Sequence, residues 1–194
     1  MKKAAGLAIG HPANAALLDF LRPPEFTPEL VRQRLTRARQ GRPPSDDELA
    51  ALRAKMRAAP VLPDEPSAPL PADIQDLMAL GGRLGTHPDL IERLFLLNRG
   101  LDEDCRWSIH RRLALVHPRS GIAFAFAFGT IGYALRLPPP ELASAVAAGA
   151  GPLPKSGDPA HDIAGLGPGW VYGIWHHDEP GWCQAGYDAA GSLA

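Results

Sequence analysis

The chain of 194 residues contains little cysteine and no long apolar run. Its two cysteines, Cys105 and Cys183, allow only one pairing, which excludes a disulfide-stapled scaffold and fits a reducing compartment. No stretch approaches the roughly 18 apolar residues that a membrane span needs, so we expect no membrane partner. Lys2 and Lys3 precede a short, weakly apolar stretch of the kind found in secretion signals. We expect a cytoplasmic protein, with secretion as the alternative.

The sequence also lacks a strong charge bias and the common catalytic motifs. The formal net charge is −1, which gives no general case for binding nucleic acid or an anionic surface. There is no G-x-S-x-G, no G-x-x-x-x-G-K-[ST] and no H-E-x-x-H in the chain. We therefore favour a protein that is not an enzyme, and we expect no cofactor.

Proline content predicts the domain organisation. The stretch 60–71 holds five prolines and little periodicity, which is typical of an extended linker. The residues before it, 1–59, predict a helical appendage that includes a helix opened by a capping box of Ser45 and Glu48. The residues after it, 72–194, are predicted to form the main domain.

The most regular pattern in the main domain lies between Gly121 and Pro138. Large apolar residues alternate with alanine, which predicts a strand that carries Ile122, Phe124, Phe126 and Phe128 on one face. Because the apolar parity changes after Phe128, we expect a hairpin that turns at 129–132. With a third strand near the C-terminus, the predicted sheet is short, antiparallel and three-stranded, with strands at 122–128, 132–137 and 170–175.

Apolar spacing predicts helices at 73–84, 88–99, 103–116 and 139–148. We expect them to pack on the phenylalanine-bearing face, which makes the fold class α+β. The stretch 103–116 has a competing interpretation as a strand, because Trp107, Ile109, Leu113 and Leu115 share one parity. Acidic residues before basic ones favour the helix.

Arginines cluster in the appendage and could contact nucleic acid. They are Arg32, Arg34, Arg37, Arg39 and Arg42. Phosphate contact is the functional interpretation, but no aromatic residues lie among them. We favour a solvated helix face, so nucleic acid is an unlikely partner.

Aromatic and acidic residues concentrate near the C-terminus. The hypothesis drawn from them is a surface that binds another protein, with a basic patch on that partner; the residues are Trp170, Tyr172, Trp175, Asp178, Glu179 and Trp182. Packing in the core is the alternative interpretation of the aromatic residues. The predicted function is a non-enzymatic, protein-binding bacterial protein of accessory or immunity type.

Histidines in the same region supply an alternative function. His161, His176 and His177, with the adjacent acids, could bind a metal ion in a metal-dependent hydrolase. The spacing is unfavourable, because consecutive residues in a turn point in different directions. We therefore predict no metal site as the first interpretation.

Overall fold

The computed structural model describes residues 9–22, 29, 32–33, 36, 41–58, 65–66 and 74–193. Contacts group the chain into two compact units, one formed by Met1–Leu21 with Asp64–Ala194 and the other by Arg22–Pro63. Residues 9–21, which the proline pattern assigns to the appendage, are thus grouped with the larger unit. No helix within the described ranges is long and apolar enough to cross a membrane.

Within the described residues, helices predominate before residue 100 and four consecutive strands follow. The helices are α1 (Ala15–Leu21), α2 (Asp46–Ala58), α3 (Ile74–Leu84), α4 (Pro88–Arg99), α5 (Pro139–Ala147) and α6 (Glu179–Ser192). The strands are β1 (Glu65–Pro66), β2 (Arg106–Ile109), β3 (Arg112–Val116), β4 (Ala123–Phe128), β5 (Gly132–Arg136) and β6 (Trp170–Tyr172). Short 3₁₀ turns lie at Pro12–Asn14, Pro159–His161 and Ala164–Leu166.

The strands form one antiparallel meander in the order β1 to β6. The α+β class is therefore confirmed, and the three predicted strands lie side by side as β4, β5 and β6. The predicted strand count of three is wrong, because β2 and β3 extend the sheet to five strands and the short β1 adds a sixth at its edge. The two-residue β1 pairs with the edge of β2 from within the predicted linker.

The predicted helix at 103–116 is wrong, because this stretch is the hairpin of β2 and β3. Ile109 pairs with Arg112, and the two residues between them, His110 and Arg111, have φ angles of 45° and 60°. Positive φ at both central positions is the type I′ form of the two-residue hairpin turn, for which Asn-Gly is the usual signal. Here a histidine and an arginine adopt that conformation, so no residue type at the turn indicates the hairpin.

A β-bulge in β4 changes which phenylalanines share a face. Leu115 pairs with Ala125 and Val116 pairs with Ala123, so Phe124 is the extra residue in the ladder. Phe124 packs in one hydrophobic cluster, whereas Phe126 belongs to the other. The prediction of a single phenylalanine-bearing face is therefore wrong.

Both faces of the sheet are covered. Helices α3, α4 and α6 pack with Phe124, Leu113 and Leu135 on the first face. On the second face, α1 packs over the sheet, with the Phe20 ring 5.7 Å from Phe126 and 5.3 Å from Phe128. The expectation that helices cover one face alone is corrected by α1.

Asn14 attaches the N-terminal segment to the start of β4. Its side chain is 1% exposed and donates to the carbonyl oxygens of Ile9 and Gly121, at 2.9 and 2.7 Å. Its Oδ1 accepts the Ala123 amide at 2.9 Å. Because these are buried backbone groups, the amide side chain satisfies them where the bulge interrupts the ladder.

The smaller unit retains the predicted capping box. The Glu48 amide donates to the Ser45 hydroxyl at 3.2 Å, and the Ser45 amide donates to the Glu48 carboxylate at 2.9 Å. Arg32 forms ion pairs with Glu29 and with Asp46, at 3.5 and 3.0 Å. Arg32 is thus paired within the unit and Arg42 is exposed. The other three arginines of the nucleic-acid hypothesis lie outside the described residues.

Candidate functional site

The segment that follows β6 presents an exposed tryptophan. The Gly173 amide donates to the Tyr133 carbonyl at 2.8 Å and so extends the pairing with β5, after which the chain turns toward α6. Trp175 lies in this turn, is 52% exposed and has a φ of 61°. A bulky residue is rarely found in the left-handed region, and such a conformation costs about 1–3 kcal/mol. Neighbouring contacts must therefore hold it.

The carboxylate of Glu179 supplies those contacts. Glu179 opens α6 and its side chain is fully buried. Its Oε1 accepts the backbone amides of Ile174 and Trp175, at 2.6 and 2.9 Å. A buried carboxylate is costly unless its lone pairs are satisfied, and these two bonds fix the backbone immediately before and at the strained residue.

The second oxygen of Glu179 binds two side chains. Arg93 on α4 donates through Nε and Nη2, at 3.0 and 2.6 Å, and the Tyr133 hydroxyl also donates to this oxygen. The same guanidinium donates to the His176 carbonyl at 3.3 Å. Five donors thus converge on one carboxylate, and four parts of the chain are tied together: α4, β5, α6 and the turn.

The protonation states of the partners fit these roles. Burial lowers the pKa of Arg93, but the hydrogen bonds to Glu179 and Tyr133 outweigh it and raise the pKa overall. Burial and the bond to Glu179 raise the pKa of Tyr133 well above its ordinary value. Arg93 therefore stays charged, and Tyr133 keeps the proton that it donates.

The indole of Trp175 rests on the same partners. Its ring meets the ring of Tyr133 edge to face at a centroid distance of 5.6 Å and an angle of 88°. The Arg93 Cζ lies 5.3 Å from the indole centroid, within the range of a cation–π interaction. The Trp175 amide also donates to the Tyr133 hydroxyl at 3.2 Å. One face of the indole is braced while about half of the residue stays in solvent.

Gly173 makes room for the Tyr133 ring. A Cβ at this position would overlap the ring at Cε2 and Cζ and would lie 2.7 Å from Cδ2. Tyr133 is itself fully buried, so its ring cannot swing away into solvent. The absence of a side chain at Gly173 therefore lets Tyr133 reach Glu179 and Trp175.

A group of possible metal ligands lies beside this network. Ligand atoms of His176, His177 and Asp178 all lie within 4.8 Å of one another. The Asp178 carboxylate is 3.5 Å from His176 Nδ1 and 3.3 Å from His177 Nε2. The His176 ring stacks on Trp182 at 5.3 Å and 9°, and its Nδ1 accepts a long bond of 3.3 Å from the Asp178 amide.

The predicted partner-binding residues divide into two groups. Trp175 and Asp178 are accessible. The other four are buried: Trp170, Tyr172, Glu179 and Trp182. These four cannot present a side chain to a partner in this fold, because they fill the two clusters or, in the case of Glu179, bind the turn. The core interpretation fits the three buried aromatics.

His161 lies apart from the other two histidines. Its ring is 5.7 Å from Phe128, and its carbonyl accepts the Tyr172 hydroxyl at 2.8 Å, on the face covered by α1. His176 packs on Trp182 in the cluster of the opposite face. The structure therefore puts Asp178, rather than His161, beside His176 and His177.

The cysteines are both buried and free. Burial raises the pKa of Cys105 to about 12 and that of Cys183 to about 12. Both thiols are therefore protonated near neutral pH, when they are poor nucleophiles.

Sequence reasoning missed Arg93 and Tyr133. Arg93 is a polar residue on a helix predicted to be largely buried, but its partner lies 86 residues away, so no local pattern joins them. Tyr133 could be identified only as one of the apolar residues of a strand. Comparison of the chain with protein-family models, curated proteins and solved structures found no match.

Proposed function

We propose that the protein is a non-enzymatic, protein-binding module, of the accessory or immunity type found in bacteria, with Trp175 as its anchor residue. Asp178 contributes a charged contact beside the anchor. The partner offers a pocket for the indole and a basic group opposite Asp178. This narrows the surface suggested by the sequence from six residues to the two that are accessible.

The observation that carries the proposal is the braced exposure of Trp175. An exposed indole and a left-handed backbone both cost free energy, yet five hydrogen bonds to Glu179 converge to keep this arrangement. Tryptophan is among the residues most enriched at the energetic centres of interfaces. A side chain that is already held in place loses little conformational entropy on binding, which favours a role in recognition.

The acidic part of the surface is smaller than the sequence suggests. Glu179 is buried and its charge is compensated by Arg93, so it adds little to the field felt by a partner. Asp178 remains about half exposed and lies at the start of α6. A single exposed carboxylate at the rim of an interface affects association more than final affinity, so we assign the larger energetic role to Trp175.

The proposal predicts that the partner lies within reach of position 175. A photoreactive phenylalanine analogue placed there, in cells of the source organism, is expected to yield a cross-linked protein. Leu153, which is 41% exposed in the same unit, is the control position. The same analogue placed there is expected to give no cross-link to that protein.

With the captured protein purified, Trp175→Ala is expected to raise the Kd at least about 30-fold, the loss typical of an anchor residue. Asp178→Asn is expected to raise it a few-fold, and Leu153→Ala should leave it unchanged. Isothermal titration measures all three. A Trp175→Ala variant that folds and binds as tightly as the parent would contradict the proposal.

A further inference from the structure

The cluster formed by His176, His177 and Asp178 has spacings suited to a metal ion. Around a tetrahedral zinc ion with bonds of about 2.0–2.2 Å, neighbouring ligand atoms are separated by about 3.3–3.5 Å. The Asp178 carboxylate approaches both rings at such separations, 3.5 Å from Oδ2 to His176 Nδ1 and 3.3 Å from Oδ1 to His177 Nε2. Since one ligand atom from each residue lies within 4.8 Å of the others, rotation of the carboxylate and of the exposed His177 ring would bring all three onto one ion.

One of these ligands, His176, is oriented by contacts that do not depend on a metal. The His176 ring stacks on the buried Trp182 at an angle of 9°, and its backbone carbonyl accepts a bond from Arg93. Asp178 occupies the N-cap position of α6, yet its side chain makes no capping bond. An aspartate there normally binds the first free amides of the helix, whereas the oxygens of this carboxylate lie 3.5 Å from His176 Nδ1 and 3.3 Å from His177 Nε2.

The surroundings leave room for further ligands. His177 and Asp178 line an open depression together with Glu141 and Ser144 of α5. Two imidazole nitrogens and one carboxylate oxygen are a donor set suited to zinc and the neighbouring divalent transition metals, rather than to magnesium or calcium. Three protein ligands leave a fourth position for water on the solvent side.

We propose that His176, His177 and Asp178 form a binding site for one Zn²⁺ ion. This site is smaller than the one suggested by the sequence, because it keeps Asp178 of the adjacent acids and excludes His161. The site shares Asp178 with the proposed partner-binding surface, but the anchor residue Trp175 is not a metal ligand. Trp175→Ala is therefore expected to bind zinc like the parent.

Isothermal titration calorimetry of the full chain with zinc chloride tests the site. The parent is expected to bind one equivalent, and His177→Ala is expected to weaken its binding at least about tenfold, since even the outer partners of metal ligands contribute that much. His161→Ala is the matched control and should bind like the parent. His177 is 81% exposed, so its replacement is not expected to disturb folding.

A second readout uses Co²⁺, whose visible absorption reports the ligands around the ion. The parent and His161→Ala are expected to give the same spectrum, and Asp178→Asn an altered or weaker one. Equal zinc affinity in the parent and in His177→Ala would overturn the proposal. The cluster would then be only an ion pair between Asp178 and the neighbouring histidines. Loss of binding in His161→Ala would overturn the assigned ligand set.

Discussion

Replacing Gly173 by alanine is expected to destabilise the folded protein by at least about 3 kcal/mol, the upper end of the range for overpacked cores. The new methyl group would overlap the ring of Tyr133, which is fully buried and bonded to Glu179. Either the ring leaves its partners or the end of β6 separates from β5. In both outcomes, polar groups around Glu179 also lose their hydrogen-bond partners or become exposed to water.

Urea denaturation of Gly173→Ala measures this loss. Gly181→Ala is the matched control, because Gly181 lies in α6 and a Cβ added there would meet no other part of the described chain within 4 Å. Alanine is the better helix former by up to about 1 kcal/mol, so this variant should be as stable as the parent or slightly more stable. Equal midpoints for the two alanine variants would show that Tyr133 does not occupy the space above Gly173.

Replacing Glu179 by alanine is the second change with a large expected effect, a loss of about 3–5 kcal/mol. The substitution removes the carboxylate that accepts from the Arg93 guanidinium, the Tyr133 hydroxyl and two backbone amides. Removing one member of a buried ion pair is costly because the other charge remains, 17% exposed in the case of Arg93. The free energy of unfolding from chemical denaturation measures the loss.

Two further variants distinguish the effect of the unpaired Arg93 charge on stability from the effect of lost packing at position 179. Glu92→Ala removes an exposed carboxylate next to Arg93 in sequence and should change stability by no more than about 0.5 kcal/mol. Adding Arg93→Met to a Glu179→Met background should recover part of the lost stability, because the unpaired charge is removed. If Glu179→Ala were no more destabilising than Glu92→Ala, the buried network would not contribute to the fold.

The local sequence pattern was enough to predict most of the helices and the central hairpin of β4 and β5. Capping residues and apolar spacing predicted α3, α4 and α5 to within a residue or two. The alternation of phenylalanine and alanine predicted β4. These elements are set by near neighbours in the sequence, which is why a single chain reveals them.

Distant contacts account for the errors. The alternation in β4 continues without interruption through Phe124, because the bulge there is set by pairing with β3 and by the Asn14 side chain, not by a glycine. The hairpin of β2 and β3 turns at His110 and Arg111, which carry no turn signal. In both places, tertiary pairing overrides an ambiguous local pattern.

The sequence named a candidate region near the C-terminus, and several of the residues proposed there as accessible are buried. Glu179 ends a run of four polar residues, and such a run is typical of a solvated turn. Its burial depends on Arg93 and Tyr133, which lie 86 and 46 residues away. Trp175 could be named as a candidate from its type, whereas its strained backbone could be recognised only in three dimensions.

Hydrogen exchange at Ile174 and Trp175 tests the central claim most directly, namely that Glu179 fixes the turn that presents Trp175. Both amides donate to the buried Glu179 carboxylate, although they lie in a turn near the surface. We expect each to exchange at least about a hundredfold more slowly than in an unstructured peptide, as local opening requires breaking the network. Exchange of both amides at the unstructured rate would contradict the account.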